Sequence, residues 1–461
     1  MTQLWPTDVR RKSTQVVVAA TVALLIAGTL QLLVGTSSIK SRMYAVPVVY
    51  RPPYVNAVDP VLAAEEGLGP STVTGAQNPD LSIKTILVYQ SGITLYQGGV
   101  LVKSIARQQS RYGFTLPELA TLIDDPSFLS ASGSQVTLKA GLITLDATRL
   151  NIVAPATTAV VMEDHPGVFI GATDGSITVR NATVTSDATS GGTPHHPTYR
   201  PFVVVMTGVI ANFDHATFEN LGWDWLNSYG VSLIGTVRGE ISHSTFDHNF
   251  IGLYTQRLQN YTIADSTFDH NALYGIDPHT GSFNLTITGN TAEYNAAHGI
   301  ILSKEVTEST VTHNYSAHNG ENGIMIDEQS NHTLVSNNTT VDNRGDGVVV
   351  SNSTGVTISG NSIRTNRIGV NVYGNGAARV THNTFADNLL PAAGVTVDPS
   401  INTVDGPHDT ERVPPPAWHV YADVTAWSIA LLLYLSTYLI RRKERALFST
   451  YRLNSAQERI A

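Results

Sequence analysis

The chain has 461 residues, roughly two to three domains' worth by length. Charged residues make up 14% of it, against about 25% in an average soluble protein, while 42% are hydrophobic, with 37 Gly and 21 Pro. That composition excludes an acidic disordered chain and a coiled coil. With no Cys, there is no disulfide scaffold, thiolate nucleophile or cysteine-ligated zinc. A net charge of −9 argues against a nucleic-acid partner.

The two ends differ from the middle. Val16–Val34 is an uncharged apolar run that follows Arg10, Arg11 and Lys12, and it is long enough for a helix of roughly 28 Å. Val424–Ile440 is a second apolar run, preceded by Trp418 and Tyr421 and followed at once by Arg441, Arg442 and Lys443. Basic clusters on the outer side of both runs predict two membrane spans with both termini cytoplasmic and everything between them outside. The expected organisation is a cytoplasmic N-terminus (1–15), an anchor (16–36), a linker (37–80), a solenoid (81–400, clearest over 228–400), a Pro-containing linker (401–417), a second span (418–440) and a basic tail (441–461). Residues 13–440 carry 19 basic and 34 acidic side chains, so the part outside is strongly acidic. Any site for a polyanion on it must be locally basic.

Thr115–Asp125 reads as a short helix, with Thr115 as N-cap and Pro117 early in the first turn, placed to cover an open end of the solenoid. His195 and His196 lie between prolines and read as an exposed irregular loop rather than a metal pair. The Asp-rich stretches lack the spacing of a calcium loop. No metal and no cofactor is expected.

From residue 230 onward a repeat takes over. Gly230, Gly252, Gly275, Gly299, Gly323, Gly347, Gly369 and Gly394 each open a short apolar alternation. Asn249, Asn271, Asn295, Asn319, Asn343, Asn366 and Asn388 form a second column with the same 22–25-residue period. Two columns with one period identify a solenoid. Short strands with no room for a helix per repeat predict an all-β fold, a right-handed parallel β-helix whose coils stack about 4.8 Å apart. The Asn residues suit turns with left-handed backbone, and sequons such as those at Asn284, Asn331 and Asn352 read as turn chemistry.

Alternation then sorts each coil. Leu253, Ile276, Ile300 and Ile324 point inward; Tyr254, Asp277, Ile301 and Met325 point outward, as do Gln256, His279, Ser303 and Asp327. Most coils have bland outward residues, Val349 and Ser351 among them. One coil does not: Tyr274–His279 (YGIDPH) puts Pro278 in a strand column and gathers a phenol, a carboxylate and an imidazole. A sequence that breaks its own pattern points to a site. Stacking brings Arg257, His279 and Lys304 into one neighbourhood.

Tyr274–His279 resembles the Tyr-Gly-Phe/Ile-Asp-Pro-His signature of mannuronan C-5-epimerases, and His298–Val306 (HGIILSKEV) and Ser228–Ser232 (SYGVS) are similar to flanking segments of that family. The likeness spans about residues 198–390. Thr280 stands where the family has an acidic residue, and Lys304 where its periplasmic alginate enzymes carry Arg. The resemblance implies a polyuronate substrate and catalytic roles for the Tyr, Asp and His.

Epimerising a uronate within a polymer requires removing the proton at C5, next to a carboxylate whose charge must be neutralised, with a base on one ring face and an acid on the other. His279 suits the base because imidazole titrates near neutrality. Asp277 would orient it or polarise the site, Tyr274 would return the proton, and Lys304 would neutralise the carboxylate as a point charge. Arg257, His298, Tyr254 and Gln256 are candidates for holding the chain. The leading expectation is a membrane-anchored polyuronate C5-epimerase, with an anionic polysaccharide, the membrane and polysaccharide synthesis or export machinery as partners. A polysaccharide lyase shares the first step, and a non-catalytic glycan-binding or scaffold β-helix is a third reading.

Overall fold

The computed structural model describes residues 83–106, 113–187, 199–224 and 226–405. The apolar segments 16–36 and 418–440, the basic tail, most of both linkers and the His195-His196 pair lie outside them. Among the described residues no helix is long and apolar enough to cross a membrane.

Three parallel sheets wind around one core. Each coil adds one strand to each sheet: Ile251–Gln256, Thr262–Ala264 and Thr267–Asp269 make one coil, and Ile276–His279, Thr286–Thr288 and Thr291–Glu293 the next. We call the sheet holding the first strand of each coil sheet A, and the other two sheets B and C. Strands run from Lys84 to Asp405, the last pairing Thr403–Asp405 with Thr384–Ala386 in sheet C. Sheet A begins with an antiparallel meander, Lys84–Tyr89, Gly92–Gln97 and Val100–Ala106, before parallel stacking takes over.

In-register pairing aligns Leu253, Ile276, Ile300, Ile324, Val348 and Val370, all fully buried. The stacked rings of Phe218, Phe246 and Phe268 continue the core under sheet C. The helix Leu116–Ile123 has the predicted cap: Thr115 and Glu118 form a capping box, Pro117 sits in the first turn and Asp124 closes it in a left-handed conformation. Leu116, Leu119 and Ile123 face the core where sheets B and C begin, so the helix covers that end.

The Asn column does more than turn the chain. Each Asn is buried and donates its side-chain N–H to a carbonyl one coil back; from Asn271 to Asn366 each also donates to the next Asn, as Asn271 Nδ2 does to Asn295 Oδ1 at 2.8 Å. The left-handed position belongs instead to the residue before it: His248, His270, Tyr294, His318, Asp342, Thr365 and Asp387. The glycine column answers to the same ladder. A Cβ on Gly275 would lie 2.6 Å from Gly299 O and 2.9 Å from Asn295 Nδ2. A second ladder, Asn290, Asn314, Asn338, Asn361, Asn383 and Asn402, runs between sheets B and C and was not read from the sequence.

These ladders satisfy buried donors that nothing else could reach. Asn319→Ala would remove the acceptor for the backbone N–H and one side-chain N–H of Asn295, and the donor to the Ala292 carbonyl and Asn343 Oδ1. The expected cost is about 2–4 kcal/mol, read as a lower midpoint in chemical denaturation. Asn388→Ala, at the ladder's end, should cost less.

Candidate active site

The outward face of sheet A is not open surface. Ile301, Met325 and Val349 form an apolar cluster there, Val349 being 1% exposed, and Ser351 is buried too. Upstream, Tyr254 joins Phe202, Val204, Trp223, Ile234, Phe250 and Ile251 in a second cluster. Residues read as bland and outward therefore lie under cover, because side chains from the turns fold back across the sheet. Tyr274 is one of these: it precedes the strand Ile276–His279 and packs on both clusters.

Between the two clusters lies the coil that breaks the pattern. Pro278 is buried inward opposite Thr255, while Asp277 and His279 project outward opposite Tyr254 and Gln256. Asp277 is 3% exposed, and its Oδ1 has no hydrogen-bond partner. Burial pushes its carboxyl well above the usual carboxylate range, and the nearby Lys304 ammonium only partly opposes this. Burial thus favours the protonated form of Asp277.

His279 lies half-buried one column over. Burial, with help from Lys304, lowers its imidazole to about 4, so it does not titrate near neutrality as expected from the sequence. It is a free base across the physiological range. Its Nδ1 lies 2.6 Å from Thr280 Oγ1, so the partner on that nitrogen is Thr280 and not Asp277. Of the two roles considered for Asp277, polarising the site fits this arrangement.

Lys304 is exposed and stands in the turn after the next coil's strand, with Glu305 beside it. Both hold left-handed backbone, at φ 60° and 63°, a costly conformation for side-chain-bearing residues. From there the Lys304 charge acts on both Asp277 and His279.

Tyr254 lies beside Asp277, with its ring 5.6 Å from His279 and 4.7 Å from Tyr229. Burial raises its phenol, and Asp277 and Tyr229 add to the effect. Tyr229, pushed up to about 12 chiefly by burial, was not singled out from the sequence, although it sits inside the SYGVS segment. Tyr274 stacks on His298, centroids 5.2 Å apart and rings 1° from parallel. His298 is 5% exposed; its Nδ1 faces the Asn322 backbone N–H and its Nε2 lies 3.4 Å from Glu321. His298 is thus buried behind the ring of Tyr274, not on the open surface. Arg257 is exposed in the preceding turn, its N–H donating to the Thr280 carbonyl, and Gln256 stands opposite His279.

Two other corners bring Asp214, His215 and His243, and Asp247, His248 and His270, within ligand distance of one another. In each group the imidazole rings are stacked, at 17° and 8° from parallel. Their in-plane lone pairs run side by side and do not converge on a point, and His215 and His248 instead face Asp214 and Asp247 at 2.8 Å.

Comparison with known proteins places this arrangement. Residues 166–339 and 301–406 match the family described as "Right handed beta helix region". A mannuronan C5-epimerase of Pseudomonas aeruginosa is 30% identical over 142 residues, covering 27% of this chain and 26% of that protein. One from Pseudomonas putida is 31% identical over 99 residues, 19% of each chain. The chain thus aligns with about a quarter or less of the length of these curated relatives. The crystal structure of the periplasmic alginate epimerase AlgG superposes with a TM-score of 0.58 at 24% identity, over 65% of this chain and 73% of that one, a likeness of fold. The chain belongs to the right-handed β-helix family and is similar, within it, to the mannuronan C5-epimerases.

Proposed function

We propose that the protein is a polyuronate C5-epimerase that converts mannuronate to guluronate residues within an alginate-like polymer. The observation that carries this is the pairing of an imidazole held as a free base, His279, with a buried carboxyl whose Oδ1 has no hydrogen-bond partner, Asp277, with the exposed Lys304 ammonium acting on both. A uronate carboxylate docked on Asp277 and Lys304 would receive a hydrogen bond and a counter-charge. His279 Nε2 then takes the C5 proton, and the C–H electron pair passes into the carboxyl group, where Lys304 and Asp277 stabilise it. Tyr274, which reaches the same sheet face from the other end of the strand, protonates C5 on the opposite ring face and recovers its proton from solvent, to which His279 releases the proton it took. C5 inverts and no glycosidic bond breaks. Similarity to proteins named mannuronan C5-epimerase supports the reading. Arg257 and Gln256, upstream, are proposed chain contacts.

The acidic 13–440 region and the basic clusters outside both apolar segments support an extracytoplasmic, membrane-anchored protein. Elimination by a lyase begins with the same proton removal but needs an acid at the 4-O leaving group. Incubation with polymannuronate separates the two: guluronate signals in the proton NMR spectrum with chain length unchanged are expected. Unsaturated ends absorbing in the ultraviolet would overturn the proposal.

Lys304 supplies the positive charge of the proposed carboxylate site. Lys304→Ala should lower turnover by about 10²-fold, the scale of one lost charge-stabilising donor, and Lys304→Arg should recover most of it. Rates of guluronate formation check this; equal rates for the wild type and the Ala variant would remove Lys304 from the mechanism.

A further inference from the structure

An imidazole acts as a base through one nitrogen, and the partner of the other nitrogen decides which one. Partners of Nδ1 differ along this solenoid: a carboxylate for His215, His248, His270, His318 and His332, a carbonyl for His165, and the Thr312 hydroxyl for His313 at 3.0 Å. At His279 the partner is the Thr280 hydroxyl, at 2.6 Å. The placement is rigid. Thr280 has left-handed backbone at φ 27°, its N–H donates to the Ser303 carbonyl, and the next residue, Gly281, donates to the Lys304 carbonyl. The hydroxyl is thereby fixed beside Nδ1 by the coil that also carries Lys304.

We propose that Thr280 is a positioning residue: its hydroxyl accepts the Nδ1 proton of His279 and so fixes the tautomer whose bare Nε2 faces the uronate C5. The opposite polarity, with Thr280 donating to Nδ1, would put the proton on Nε2 and leave no base. A hydroxyl holds this tautomer without adding a negative charge beside the imidazole. This rests on the epimerase reading for its consequence, though not for its geometry.

The test uses the full chain with nitrogen-15-labelled histidine, assigned by comparison with His279→Gln. In the wild type the His279 signals should show a protonated Nδ1 and an unprotonated Nε2 at pH 7. In Thr280→Val, which keeps the branched shape and removes the hydroxyl, Nε2 protonation should appear, kcat should fall by about 10²-fold and KM should stay within about threefold. Thr280→Ser should restore both the tautomer and most of kcat. A wild-type spectrum with the proton on Nε2 would overturn the proposal, as would full kcat in Thr280→Val. If the wild type makes no guluronate, the epimerase reading fails, while the tautomer spectrum still decides the role of Thr280.

Discussion

Replacing His279 by Gln is expected to reduce turnover on polymannuronate by about 10²–10⁴-fold and to leave the solenoid folded. The side chain projects from the outer face of sheet A, so no core residue is lost, and Gln keeps a polar group of similar reach without a base. The pH behaviour is the more specific sign. Since the imidazole is held at about 4, the acid limb of kcat/KM for the wild type should lie near pH 4 and not near 6.5. The same shift acts on stability. The folded value lies below the unfolded one, so as pH falls through 6.5 the unfolded chain takes up a proton that the folded protein refuses, and stability drops until about pH 4. Gln does not titrate. At pH 5 the variant should therefore be more stable, relative to the wild type, by about 2 kcal/mol than it is at pH 8. Denaturation midpoints at the two pH values measure this; an unchanged difference would show that His279 is not desolvated.

Asp277 gives the second large effect, and the contrast between two substitutions carries it. A neutral carboxyl that donates a hydrogen bond to the substrate carboxylate resembles an amide more than a carboxylate. Asp277→Asn should therefore keep turnover within about tenfold, whereas Asp277→Ala, which removes the donor, should lose about 10²–10³-fold. If Asp277 worked as an anion, the two variants would be equally poor. Stability again supplies an independent check. The folded carboxyl stays protonated above the point where the unfolded one ionises, so wild-type stability declines as pH rises past the ordinary Asp value. Asn escapes that decline, and Asp277→Asn should melt higher than the wild type at pH 7, by a margin that shrinks toward pH 4. An anionic carboxylate stabilised by Lys304 would give the reverse.

Much of the architecture was legible because a solenoid repeats its constraints. The Gly and Asn columns revealed the period, and alternation along Gly275–His279 correctly sent Ile276 inward and Asp277 and His279 outward. The left-handed positions were not legible, since His, Tyr, Asp and Thr share them and only the Asn behind them is constant. The second Asn ladder lacks a glycine marker and was passed over. At the site, residue types and the one-coil offset to Lys304 could be read. Burial could not, because it depends on Tyr274 and the upstream turns folding back over a face that alternation alone leaves open. That cover shifts His279 and Asp277 in opposite senses from their usual charge states. It also hides His298 under Tyr274, where sequence suggested a polymer contact.

The most direct test of a two-sided proton exchange at C5 is deuterium incorporation. Wild-type protein acting on polymannuronate in deuterated water should yield guluronate residues that each carry one deuterium at C5, in chains of unchanged length. Guluronate free of deuterium would mean that the abstracted proton is handed back, contradicting separate roles for His279 and Tyr274, and unsaturated chain ends would contradict epimerisation itself.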